Sequence, residues 1–168
     1  GYSYIEPFLA QVAHVDASAI TMTLTAFGCS GLLGSWLFGR LFDGHRFPFL
    51  AITLSGVPVA LLLMGPAASS LAAVLAVCAL WGCCATAFNV AFQAELIKHT
   101  PADSSAVAMS IFSGLFNLGI GTGTAIGGAV SGPGIAWIGF VGGAIAVVGV
   151  ILAITVMFPA IRRAKPVA

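Results

Sequence analysis

Along this chain, apolar residues come in long unbroken runs separated by short clusters of charge. The runs are residues 2–13, interrupted by Glu6, then 19–39, 47–66 and 71–94, and last a stretch from 104 to 161 that holds no charged residue. That final stretch is too long for one membrane crossing, and Ser131-Gly132-Pro133-Gly134 is a turn signal that splits it into a fifth and a sixth run. Each complete run reaches the roughly 20 residues that a membrane helix needs. None carries the polar face of a water-soluble core helix, and none shows the alternation of a barrel strand. The pattern predicts an all-α membrane protein with six transmembrane helices. The first run is too short to cross, so we expect the chain to enter inside a helix and to be a fragment of something longer. No charged leader and cleavage site precedes it, so no signal peptide is expected.

Composition sharpens this picture. Of 168 residues, 60% are hydrophobic and 7% charged, against about 25% charged in a soluble domain. Six Lys+Arg and five Asp+Glu cannot solvate a globule of this size. The near-neutral balance excludes a nucleic-acid partner, which would require a basic face.

The placement of charge says more than its sum. One loop, after the second helix, holds Arg40, Asp43, His45 and Arg46. Another, after the fourth, holds Glu95, Lys98, His99 and Asp103, and the tail holds Arg162, Arg163 and Lys165. These contain every Lys and Arg, and each cluster is two helices from the next, so all three are expected on one side. Asp16, Ser69 and Pro133 then mark the other side. By the positive-inside rule the basic side, with the C-terminus, is cytoplasmic.

Four cysteines, at 29, 78, 83 and 84, lie in apolar runs without zinc-ligand spacing and read as small packable residues. No metal or cofactor is expected. Three small-residue faces (Gly28, Gly31 and Gly34; Gly119, Gly123 and Gly127; Gly139 and Gly143) allow close helix approach. Pro58 should kink the third helix, which a membrane helix tolerates.

Polar residues inside the runs are the candidates for function. Glu6 is the one ionisable group well inside a run. A carboxylate in hydrocarbon is costly, so it either faces a polar cavity or takes up a proton. It could also bond a neighbouring helix or lie near an interface. Tyr2 precedes it by one turn, and Pro7 follows. Trp81, Asn89 and Gln93 form roughly one stripe on the fourth helix; Ser110, Ser113, Asn117 and Thr124 form one on the fifth. At about 1.5 Å per residue, Glu6, Trp81 and Asn117 fall near the midplane, where alternating-access carriers bind substrate. The same amides and hydroxyls also serve as interhelical glue. The string Gly28-Cys29-Ser30-Gly31 resembles the serine motif of rhomboid intramembrane proteases. Such an enzyme needs a histidine base near its serine, and His14, His45 and His99 all map to loops.

Several strings resemble the major facilitator superfamily. Gly39-Arg40-Leu41-Phe42-Asp43-Gly44-His45-Arg46 resembles its G-x-L-x-D-basic loop motif: Gly39, Leu41 and Asp43 match, while Gly44 and Arg46 stand where a basic residue and a glycine are usual. Tyr2-Ser3-Tyr4-Ile5-Glu6-Pro7-Phe8 resembles the start of helix seven in bacterial sugar efflux transporters, the arabinose-efflux-permease-like branch of the drug:proton antiporter group. The segment from Ala108 to Gly121, including Ser113 and Asn117, resembles their helix eleven, and Ile138-Gly139-Phe140-Val141-Gly142 adds a third match.

This resemblance implies helices seven to twelve of a twelve-helix carrier, the C-terminal half, built from two inverted three-helix repeats at residues 1–66 and 71–161. It implies an N-terminal six-helix half, a bacterial inner-membrane location, and proton-coupled efflux of sugars or related small neutral solutes. The substrate and proton pathway would then use Tyr2, Glu6, Trp81, Asn89, Gln93 and Asn117, and the cytoplasmic loop motif Gly39, Arg40, Asp43 and Arg46. Asp43 is expected to pair with a basic residue or a helix N-terminus. The alternatives are a multidrug efflux carrier of the same superfamily, an intramembrane enzyme, and a non-transporting scaffold.

Overall fold

The computed structural model describes residues 1–163, with the backbone alone at Pro133; Lys165 of the basic tail lies outside the described residues. The architecture is all-helical. A 3-10 turn at Tyr2–Tyr4 leads into α1 (Ile5–Gln11), followed by α2 (Ala17–Leu41), α3 (Arg46–Ala67), α4 (Leu71–Lys98), α5 (Ser105–Gly134) and α6 (Ile138–Leu152). A π turn at Ala153–Met157 joins α6 to the short α7 (Phe158–Arg163). Among the described residues, five helical segments are long and apolar enough to cross a membrane; α1 is not one of them.

Helix boundaries follow local chemistry. His14 takes a left-handed backbone conformation (φ 52°) that ends the α1 segment. Asp16 then caps α2, its carboxylate accepting from the Ala19 amide at 3.0 Å and the Ser18 hydroxyl at 2.8 Å. The expected break near Ser131–Gly134 comes at its last residue: α5 runs through Ser131, Gly132 and Pro133, and the chain turns extended at Gly134 (φ 166°, ψ 110°). Pro159 follows the π turn closely and has no N–H for the Thr155 carbonyl, a local reason for the wider turn.

Packing runs in the order α2–α4–α3–α6, with α4 and α3 inside. Glycines set these contacts. A Cβ on Gly34 would collide with the Cys83 carbonyl, and one on Gly82 with the Phe27 carbonyl, so α2 and α4 touch backbone to backbone. Gly31 lies against Thr86, Gly56 against the Cys84 sulfur, and Gly139 and Gly143 against Leu61 and Leu62 of α3. Between lipid-exposed helices there is little hydrophobic driving force, so close van der Waals contact of this kind carries the association.

Two apolar clusters fill the spaces between. One gathers Phe8, Leu9, Leu61, Met64, Cys78 and Trp81, and the other, toward the basic end, Phe42, Phe49, Leu50, Ala91 and Phe158. α5 stands apart: of its described side positions only Gly127 is buried, and Gly114, Gly119, Gly121 and Gly123 face open space.

Two outcomes follow. Gly34→Ala should cost about 1–3 kcal/mol of stability by overpacking, while Gly28→Ala, which meets nothing within 4 Å, should leave stability within about 0.5 kcal/mol; thermal unfolding in detergent distinguishes them. Asp16 supplies the pH-dependent case. Its bonds to Ser18 and then Ala19 hold its carboxyl below the ordinary aspartate value of 3.8. The cap is therefore fully stabilising above that value and fades as pH falls through the lower native one. Asp16→Ala should melt a few degrees below wild type at pH 7, and the gap should narrow under acid titration.

Candidate functional site

Three places bring polar or aromatic side chains together. Near the N-terminus, Tyr2, Phe27 and Trp81 form an aromatic trio with ring centroids 5.1, 5.3 and 6.5 Å apart. Trp81 is buried in the core, whereas Tyr2 is largely exposed. The 3-10 turn also reaches α5: the Tyr4 hydroxyl donates to the Thr124 carbonyl at 2.8 Å, and the Ser3 and Thr124 hydroxyls lie 3.2 Å apart. A cavity of about 450 Å³ opens here, lined by Tyr2, Ser3, Phe116, Gly119, Gly123 and Thr124 among others.

The second place is a groove of about 570 Å³ between α3, α4, α5 and α6. Its walls are Leu54, Phe88, Phe92, Phe112, Phe116 and residues of the α6 and π-turn segment, and Asn89 is the lone amide among them. Gln93 donates to the Asn89 side-chain oxygen one turn away. The phenylalanines form a ladder with centroid spacings of 5.6–6.0 Å.

The third is the basic end. The Arg46 guanidinium, in the first turn of α3, donates from Nε and Nη2 to the two carboxylate oxygens of Glu95 on α4. Glu95 is 2% exposed. His99 donates from Nδ1 to the Glu95 backbone oxygen at 2.8 Å, and that nitrogen lies 3.7 Å from Oε2. Every described carboxylate oxygen of Glu95 is therefore faced by a donor, which is what makes its burial tolerable. Arg40 lies over the Trp36 ring at 5.3 Å.

These positions revise several sequence expectations. Glu95 is not a loop residue: it lies buried in the last turn of α4. α4 continues four residues past Ala94, because Glu95 extends the buried i, i+4 stripe of Ala87 and Ala91. Arg40 lies in the last turn of α2 and Arg46 begins α3, rather than both lying in the loop. Gly39, also in α2, faces open space. The pairing expected of Asp43 is not made among the described residues: it is exposed in the turn, and the helix N-terminus beside it has no side-chain cap.

The stripe of Trp81, Asn89 and Gln93 divides. Eight residues at 100° each leave about 80° of rotation, enough to turn Trp81 toward Tyr2 and Asn89 toward α5. Glu6 is exposed on α1, and no described residue bonds to it. Asn117 is exposed on α5 and donates to the Ser113 carbonyl of its own helix at 2.8 Å. Thus Tyr2 and Trp81 come together, as do Asn89 and Gln93, while Glu6 and Asn117 join neither pair. Ser30 donates to the Phe27 carbonyl at 2.7 Å, with each histidine outside the helices.

All described basic residues gather at one end, since Arg46 meets Glu95 near Lys98, and Arg162 lies 4.7 Å from the Phe47 ring. Removing Arg46 leaves the buried Glu95 carboxylate unmatched, whereas Arg46 is 22% exposed and can turn to water when Glu95 is removed. Arg46→Ala should cost on the order of 3 kcal/mol, and Glu95→Ala less. The double variant should cost less than their sum, a coupling read by a double-mutant cycle of thermal unfolding.

In comparison with protein families, the whole chain, residues 1–168, matches the Major Facilitator Superfamily.

Proposed function

The chain belongs to the major facilitator superfamily, and from that premise we propose that it serves the proton-coupled efflux of sugars or related small neutral solutes. Membership makes it a multi-pass membrane transporter of small molecules rather than an enzyme. The observation that carries the finer reading is the cavity of about 450 Å³ between the N-terminal turn and α5. Its hydroxyls, from Tyr2, Ser3 and Thr124, both donate and accept, as a polyhydroxylated solute requires. The exposed glycine backbone at Gly119 and Gly123 allows close approach, and the exposed Tyr2 ring, backed by Phe27 and Trp81, offers an aromatic surface. The volume lies in the range of small-molecule sites, about 300–1,000 Å³.

In this reading Glu6, four residues after Tyr2, takes up and releases the coupled proton, and Asn89, Gln93 and Asn117 belong to the polar lining. The chain is the C-terminal half of a twelve-helix carrier, with inverted repeats at residues 1–66 and 71–161. An N-terminal half closes the cavity from the other side. The basic end and the C-terminus face the cytoplasm of a bacterial inner membrane, following the positive-inside rule. Arg46 and Glu95 tie α3 to α4 at that end, and an ion pair that differs between two conformations biases their equilibrium.

A second reading, multidrug efflux, is favoured by one observation: the larger groove is walled by four phenylalanines and Met157, with Asn89 its sole amide. Such surfaces adapt to varied lipophilic shapes.

Overexpressing the full-length carrier should lower cellular accumulation of a labelled pentose or thiogalactoside several-fold, and Glu6→Gln should abolish this while expression persists. Resistance to cationic dyes with sugar accumulation untouched would replace the sugar reading by the second one. Full sugar efflux in Glu6→Gln would remove Glu6 from the proton-linked step.

A further inference from the structure

We infer that the end of the last membrane span is a binding site for an anionic phospholipid, whichever solute the carrier moves. Ile154, Phe158, Pro159, Arg162 and Arg163 line a cavity of about 320 Å³. It has two chemically distinct ends. Arg162 and Arg163 lie in the final turn of α7, where the span leaves the apolar layer. Ile154 and Phe158 lie deeper along the same segment. Eight residues separate Ile154 from Arg162, about 12 Å of rise, most of the roughly 15 Å thickness of one leaflet's hydrocarbon. A phosphate at the arginines thus places the upper part of an acyl chain along Ile154 and Phe158.

The charges at this end are unequal in their commitments. Arg46 is taken by Glu95. Neither Arg162 nor Arg163 has a carboxylate partner among the described residues. Arg162 is nonetheless held in place, for its guanidinium lies 4.7 Å from the centroid of Phe47, and Phe47 packs on the buried Phe158 at 5.9 Å. The ring fixes the position of the charge without neutralising it. Guanidinium forks match phosphate oxygens in pairs. A headgroup with net negative charge fits better than a zwitterionic one, whose ammonium the arginines repel. Basic pockets beside membrane helices are suited to such headgroups, at about 1 kcal/mol, or roughly fivefold, per basic residue.

The test uses the full-length protein in nanodiscs of equimolar phosphatidylglycerol and phosphatidylcholine, with retained lipids counted by native mass spectrometry. Wild type should retain phosphatidylglycerol preferentially. Arg162→Gln/Arg163→Gln should reduce that preference on the order of tenfold, while Arg40→Gln, a charge at the same end but on α2, should keep it. Undiminished preference in the double variant overturns the proposal. Equal loss in Arg40→Gln also overturns it, because the preference would then reflect diffuse positive charge. Inorganic phosphate is the remaining arm. If phosphate in detergent raises the melting temperature of wild type as much as phosphatidylglycerol does, the site binds a free anion and the lipid assignment fails.

Discussion

The arrangement depends on α4 lying close enough to α2 that their backbones touch. In water, burial of apolar area would hold such a pair; in a bilayer the surrounding lipid is as apolar as the helix, and only better contact distinguishes the two. Gly34 and Gly82 supply that contact by removing the side chains that would keep the axes apart. With α4 fixed on α2, its other faces define where α3 and α5 can sit. The same device recurs at Gly56 between α3 and α4 and at Gly139 and Gly143 between α6 and α3. Large side chains then fill the remaining volume in two clusters, one at each end of the bundle.

The polar interactions follow from that packing rather than directing it. Arg46 and Glu95 are 49 positions apart, and meet because α3 and α4 run antiparallel with their basic ends level. The aromatic trio likewise needs the α2–α4 contact to bring Phe27 over Trp81. α5 differs in kind. It touches its neighbours lightly, and its apolar residues, Ile111, Leu115 and Leu118 among them, remain exposed. A helix so little tied to the rest contributes surface to cavities on both of its sides.

Much of the fold was legible in the chain because run length is a one-dimensional property. A span of apolar residues long enough to cross a membrane is visible without knowing what it packs against, and so is the clustering of Lys and Arg at alternate connections. The candidate site was less legible, because it depends on rotation about helix axes. Trp81 and Asn89 look like neighbours on a wheel, yet the drift over eight residues turns Trp81 into the core beside Tyr2 and Asn89 into the phenylalanine-walled groove. Glu95 was missed for another reason: a charge ends a run by composition, while the helix continues wherever a partner can satisfy that charge, and the partner Arg46 lies far away in sequence. Phe27 and the phenylalanine ladder carried no signal beyond hydrophobicity, so only packing reveals them.

The π turn at Ala153–Met157 has a consequence for how the last span should be aligned with related chains. A π turn accommodates one residue more than the α-helix it interrupts, so everything beyond it is rotated by roughly 100° relative to an uninterrupted helix. Phe158 and Arg162 owe their direction toward Phe47 to that offset as much as to their own identity. A relative lacking one residue in this segment would keep the same letters and present them to a different neighbour. Equivalence between such chains beyond this point is therefore a matter of frame, as in a reading frame, and an ungapped alignment would pair residues that do not share a position in space.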